Sequence, residues 1–121
     1  MGYLYYGAER TPAEIPDRVL AHIKVVVTTK LRRNESFTLT WPHPDGAAGR
    51  TSIWLQPSIP LRFVFDTPEA ERLDEQMLRS YAEQAHSSKG LVIDWREEHS
   101  STAPSLKIAS QPEDVPERQV A

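Results

Sequence analysis

The chain predicts an α+β domain: a mainly antiparallel sheet with two helices packed on one face. The sheet is built from an N-terminal hairpin, a central three-strand meander and a C-terminal strand. Three observations carry this. Residues 17–33 place apolar side chains at Leu20, Ile23, Val27 and Leu31, the i, i+3, i+7, i+11 stripe of an amphipathic helix. Residues 36–65 contain three runs of alternating apolar and polar residues, the period of half-buried strands. A second helical pattern then opens on a proline with acidic neighbours and stops at a glycine. A helix followed by a strand meander is the smallest unit that buries an apolar stripe against a sheet.

In order, Tyr3-Leu4-Tyr5-Tyr6 is aromatic-rich and reads as a first strand. Gly7 ends it, and a turn through Pro12 leads to a short second strand, Ala13-Glu14-Ile15, completing the hairpin. Pro16 and Asp17 begin the first helix, the proline pre-set for it and the carboxylate near the positive end of its dipole. Val25-Val26-Val27-Thr28-Thr29 is β-branched and would suit a strand. The stripe, widened by Val19 and Val26, and the cations Lys30, Arg32 and Arg33 at the end favour helix.

Strand three, residues 36–41, sets Phe37, Leu39 and Trp41 against Ser36, Thr38 and Thr40. A connection full of turn formers follows, Pro42 to Gly49. Strand four, residues 50–56, sets Ile53 and Leu55 against Ser52, Trp54 and Gln56. Pro57-Ser58-Ile59-Pro60 bends the chain, and strand five turns Leu61, Phe63 and Phe65 inward with Arg62 and Val64 outward. Asp66-Thr67-Pro68-Glu69 is a strong helix start, and Leu73, Met77, Leu78, Tyr81, Ala82 and Ala85 supply the second helix's buried face. Ser87-Ser88-Lys89-Gly90 ends it, and residues 91–95 form a last strand. Residues 1–96 are thus expected to be one domain. Residues 97–121 are rich in Ser, Pro, Glu and Gln and read as a disordered acidic tail.

Composition removes several function classes. There is no cysteine among the 121 residues, so disulfides and thiolate zinc sites are excluded. The longest apolar run is far too short to cross a bilayer and no secretory leader is visible, so the expected location is the cytoplasm and no membrane partner is expected. The net charge of -3 is unevenly placed: residues 1–65 carry 8 Lys/Arg against 5 Asp/Glu. That mild basic bias permits an anionic partner without demanding one.

The strand parity defines a candidate surface. With Phe37, Leu39, Ile53, Leu55, Leu61, Phe63 and Phe65 facing the helices, the opposite face shows Thr38, Thr40, Ser52, Trp54, Gln56 and Arg62. A tryptophan, an arginine and small hydroxyls on an open sheet can stack bases and pair phosphates. The basic helix end, Lys30, Arg32 and Arg33, would extend such a surface. The same face could serve as a subunit interface, or stay solvated with Trp54 packed on Arg62. The cations at the helix end could equally be offsetting the dipole.

Catalytic signatures are missing. His22, His43, His86 and His99 form no i, i+4 pair and no metal-ligand spacing, so no metal or cofactor is expected, and His22 reads as a polar residue of the helix. No Gly-x-Ser-x-Gly elbow and no phosphate-cradling glycine loop occurs. Glu35, beside Arg32 and Arg33, reads as a salt-bridge residue, with an acid–base role the lesser alternative.

Residues 31–37 (Leu-Arg-Arg-Asn-Glu-Ser-Phe) and 52–61 (Ser-Ile-Trp-Leu-Gln-Pro-Ser-Ile-Pro-Leu), with the opening Gly-Tyr-Leu-Tyr-Tyr-Gly at 2–7 and Leu20-Ala21-His22, resemble a family of small actinobacterial proteins of unknown function. The resemblance covers roughly residues 1–95. Members often bear the label ATP-dependent DNA ligase. Such ligases resemble one another in a Lys-x-Asp-Gly motif, and none of Lys24, Lys30, Lys89 or Lys107 stands in one. The expectation is therefore a non-catalytic binding or accessory module, with a protein partner, nucleic acid or a second copy of itself on the outer sheet face. The resemblance adds an association with DNA metabolism.

The tail generates the first prediction. Residues 97–121 offer no apolar face wide enough to offset the entropy of ordering them. Removing them should leave the thermal midpoint nearly unchanged by calorimetry; a clear drop would show that Leu106 or Ile108 docks on the body.

Overall fold

A computed structural model describes residues 1–43 and 47–95; the expected tail lies outside them. The order of elements is β1 (Gly2–Tyr6), β2 (Ala13–Ile15), α1 (Asp17–Arg32), β3 (Phe37–Pro42), β4 (Arg50–Leu55), β5 (Leu61–Val64), α2 (Glu75–His86) and β6 (Leu91–Val92). Two helices and mostly antiparallel strands make a small α+β fold, as the periodicities predict. Among the described residues no helix is long and apolar enough to cross a membrane.

The central meander is not formed. The strands make two three-stranded sheets, β2-β1-β5 and β4-β3-β6. β3 and β4 pair over their whole length, Phe37 opposite Leu55 and Pro42 opposite Arg50. β5 leaves β4 and pairs antiparallel with β1, Tyr3 opposite Val64 and Tyr6 opposite Leu61. The bend explains the departure. Neither Pro57 nor Pro60 can donate to a ladder, so no hairpin register propagates from it. The Pro60 carbonyl instead accepts from the Gly7 amide at 2.9 Å, extending the β1 pairing. The last strand is shorter than expected and runs parallel to β3, Leu39 beside Leu91.

α1 stays helical through its β-branched run because the run is buried. Val19, Leu20, Ile23, Val26 and Val27 pack in one core with Leu4 and Ile15 of the first sheet and Phe37, Leu39, Leu55 and Leu91 of the second. Each such side chain contributes roughly 1.5–3 kcal/mol on burial, more than the few tenths that β-branching costs a helix. At its end Asn34 takes the left-handed conformation, φ 63°. The Asn34 amide donates to the Leu31 carbonyl and the Glu35 amide to the Lys30 carbonyl, both at 2.9 Å. This is a Schellman closure with asparagine in the place usually held by glycine.

α2 begins nine residues later than the Asp66 start the sequence favours, at Glu75 with Asp74 as its cap. Asp66 is engaged elsewhere: its amide donates to Asp17 Oδ2 at 3.1 Å, and its carboxylate takes the Met1 ammonium. The Asp74 carboxylate accepts from the Gln76 and Met77 amides at 2.9 and 3.3 Å. Leu73, expected on the buried helix face, consequently lies exposed before the helix, and Ala82 is exposed as well. After α2 the chain turns at Gly90, φ 77°. A Cβ there would meet the Thr38 carbonyl oxygen at 2.6 Å, so only glycine lets this turn close on β3.

His22, which reads as an ordinary polar helix residue, is completely buried. Nδ1 donates to the Arg18 carbonyl at 2.6 Å. Nε2 accepts the Asp74 amide at 2.8 Å, bridging 52 positions in sequence. Because a carbonyl only accepts and an amide only donates, these partners require the neutral Nδ1–H tautomer. The Tyr81 ring meets the imidazole edge-on at 6.4 Å between centroids.

Replacing His22 by leucine keeps the volume but strands the Asp74 amide. His22→Leu should cost about 1–3 kcal/mol in urea denaturation, whereas His86→Gln, at an exposed position, should change stability by roughly 0.5 kcal/mol or less. Equal effects would show that the bridge does not carry the packing of α2.

Candidate functional site: the outer face and the cleft between the sheets

The side chains expected on one outer face are divided by the fold. On β4-β3-β6 the parity holds: Trp54 opposes Thr38, and Ser52 opposes Thr40. Trp54 is 53% exposed and Val92, on the strand beyond, 47%. Thr40 is buried, and its Oγ1 lies 2.6 Å from Ser52 Oγ in a hydroxyl pair across the strands. Thr38 Oγ1 donates to the Lys89 carbonyl at 3.4 Å. Gln56 turns back on the bend, its side-chain oxygen accepting from Ser58 Oγ at 2.8 Å. Arg62 belongs to the other sheet and stacks on Tyr5, the residue it opposes, with 4.1 Å from guanidinium to ring. The fold thus keeps Trp54, Thr38, Thr40 and Ser52 together and takes Arg62 from them.

The basic helix end is also altered. Lys30 is only 8% exposed. Its ammonium pairs with Glu35 at 3.1 Å and lies 6.0 Å from the Phe37 ring centre. That hydrogen bond from Lys30 holds the Glu35 carboxyl below the ordinary range of glutamates, with the positive charges of Lys30 and Arg33 adding to it. Glu35 is therefore a salt-bridge residue, paired with a lysine in the last turn of the preceding helix. Arg32 and Arg33 remain exposed; Arg33, with Lys30, lines a groove between α1 and α2 whose floor includes Val25, Val26 and Leu78.

A different site lies between the sheets. Along β3 and β4 the inward pairs run from Phe37–Leu55 through Leu39–Ile53 to Trp41–Thr51. Along β1 they run from Gly2 beside Ile15 through Leu4 to Tyr6 beside Leu61. Helix α1 fills the space at the first end: a Cβ on Gly2 would meet Leu20 Cδ2 at 2.7 Å. At the other end the inward faces open into a cleft of about 640 Å³.

Its walls include Tyr6, Trp41 and Trp95, from three separate segments, with Leu4, Ala13 and Ile53 beneath and Glu9 and Glu14 at the exposed β1–β2 turn and strand. Two hydrogen bonds shape it. The Tyr6 hydroxyl donates to the Trp54 carbonyl at 2.5 Å, tying the sheets together. His43 Nδ1 donates to the Ala48 carbonyl at 2.9 Å, and Nε2 accepts from Thr51 Oγ1 at 3.0 Å, so its ring is committed at both nitrogens. Among the described residues no group of three His, Asp or Glu side chains converges to hold a metal ion.

The family model for a domain of unknown function (DUF7882) matches residues 1–96. The chain belongs to that family. No curated protein and no solved structure matches it. The family brings no functional residues with it, so the cleft and the outer face stand on their own geometry.

The cleft was not foreseen from the sequence, although Trp41 was assigned correctly to the inward side. A partial signal is present: Tyr6 and Trp41 stand at the ends of β1 and β3, beyond the helix that covers the rest of the inward face, and Trp95 follows β6. Trp54 yields the third prediction. A tryptophan more than half exposed should cost less than about 1 kcal/mol on replacement by alanine, against roughly 3–5 kcal/mol for a core aromatic. Urea denaturation of Trp54→Ala checks this, and a loss in the core range would overturn the assigned strand register.

Proposed function

We propose that this protein is a non-catalytic binding module whose ligand enters the cleft between the two sheets. One observation carries the reading: the inward faces of two sheets, sealed by α1 at one end, open at the other into a roughly drug-sized space walled by three aromatic rings. The rings belong to segments far apart in sequence, and ordered polar groups at the edge, Tyr6 and His43, are already hydrogen-bonded within the protein. Such a site offers contact area and shape.

A second reading rests on the exposed Trp54 and Val92 of the outer face. That patch would take a second copy of the chain or a protein partner, and with the exposed Arg32 and Arg33 an anionic one such as nucleic acid. The resemblance to proteins labelled as ligases adds an accessory role in DNA metabolism to this second reading. The absence of a Lys-x-Asp-Gly lysine keeps ligation itself out of both.

The two readings separate with one neutral fluorescent probe, N-phenyl-1-naphthylamine, which brightens in apolar surroundings. The full chain should bind it saturably. Ala13→Phe, which fills the cleft from β2, should weaken that binding at least about tenfold, and Trp54→Ala should leave it unchanged. No saturable binding, or binding lost with Trp54 and kept with Phe at residue 13, would overturn the cleft as the ligand site.

A further inference from the structure

The chemistry of the cleft narrows its ligand, and this step rests on the cleft being the binding site. We infer that the cleft takes a small organic cation, specifically a molecule carrying a methylated ammonium group. The walls and the rim agree in sign. Tyr6, Trp41 and Trp95 present electron-rich rings from three segments, and the ring quadrupole attracts a cation placed over its face. Glu9 stands at the rim as an exposed carboxylate, while Glu14, next to the inward Ala13 on β2, turns to the other face of its sheet beside Tyr3. No Lys or Arg is among the described residues lining the space.

Among the described lining residues an anion would find only neutral donors, the Trp41 and Trp95 indoles and the Thr11 hydroxyl, and no cationic one. His43 spends both ring nitrogens on Ala48 and Thr51, and the Tyr6 hydroxyl is spent on the Trp54 carbonyl. An anionic group would meet the Glu9 carboxylate and no charged partner among the described lining residues, at a cost that half-buried anions do not bear unpaired. A primary ammonium wants three acceptors close around it, and the deep part of the cleft, Leu4 and Ile53, supplies none. A methylated ammonium needs no such acceptors: its methyl groups pack on the rings while its charge is felt by the rings and the rim. Quaternary ammonium recognition by aromatic walls works on this principle.

Choline and its uncharged carbon isostere, 3,3-dimethyl-1-butanol, test the inference on the full chain. Both are titrated against bound N-phenyl-1-naphthylamine and against intrinsic tryptophan emission. Choline should displace the probe at least about tenfold more effectively than the isostere. The variant Glu9→Gln, at an exposed position that leaves the core untouched, should narrow choline's advantage over the isostere and leave the isostere unchanged. If the probe binds and Ala13→Phe removes it, but choline and the isostere compete equally, the cation inference fails and the cleft remains a binding site. If the probe itself never binds, the cleft reading falls and the inference with it.

Discussion

The fold turns on one buried imidazole. α1 presents His22 from the middle of its packed face, and the ring reaches the amide of Asp74, the residue that caps α2. The bond fixes where α2 can begin. Asp74 also draws the Arg18 guanidinium at 3.5 Å, one helical turn before His22. From that anchored start α2 runs to His86, buries Ala85, and delivers Gly90 against Thr38 and Leu91 against Leu39. The second sheet therefore gains its third strand through a helix whose placement depends on a hydrogen bond to α1. Both partners of the ring are main-chain groups, so the tautomer is set by geometry that side-chain substitutions elsewhere do not alter.

The inward sheet faces are longer than the helix that covers them, and the surplus is what makes a site. Where α1 lies, the faces are aliphatic and closed: Leu20, Ile23, Leu39 and Leu55 are fully buried. Past its reach the same parity brings up Tyr6 and Trp41. Aromatic rings tolerate half-burial because they offer large apolar area with a polar edge or tip. The Tyr6 hydroxyl uses that tip to join the sheets at the point where packing stops.

Much of this was legible in the chain. The stripe at Leu20, Ile23 and Val27 located α1, and the alternation in residues 36–56 placed Trp54 outside with Phe37, Leu39 and Leu55 inside. Those are local periodicities, and each strand pair or helix face carries its own signal. The failures were all tertiary choices between locally equivalent options. Asp66 and Asp74 are both sound helix caps; Asp17 claims one and His22 the other. β5 had the pattern to pair with either β4 or β1, and two prolines in the bend left β1. Lys30 looked like a dipole-facing surface cation, yet the Schellman turn at Asn34 swings Glu35 back over it and draws it inward. The cleft's walls come from chain segments far apart in sequence, so no single local pattern outlines it.

The partnership of β1 with β5 also bears on how the chain folds as it is made. β1 is central in its sheet, flanked by β2 and β5. β2 follows it closely in sequence, but residues 61–64 emerge only after α1, β3 and β4. Until then one long edge of an aromatic strand stands open, able to pair with any other extended chain nearby. Such non-local pairing slows folding and lengthens exposure to aggregation. Rapid synthesis through the first helix and hairpin, or a chaperone on the nascent chain, would shorten that interval.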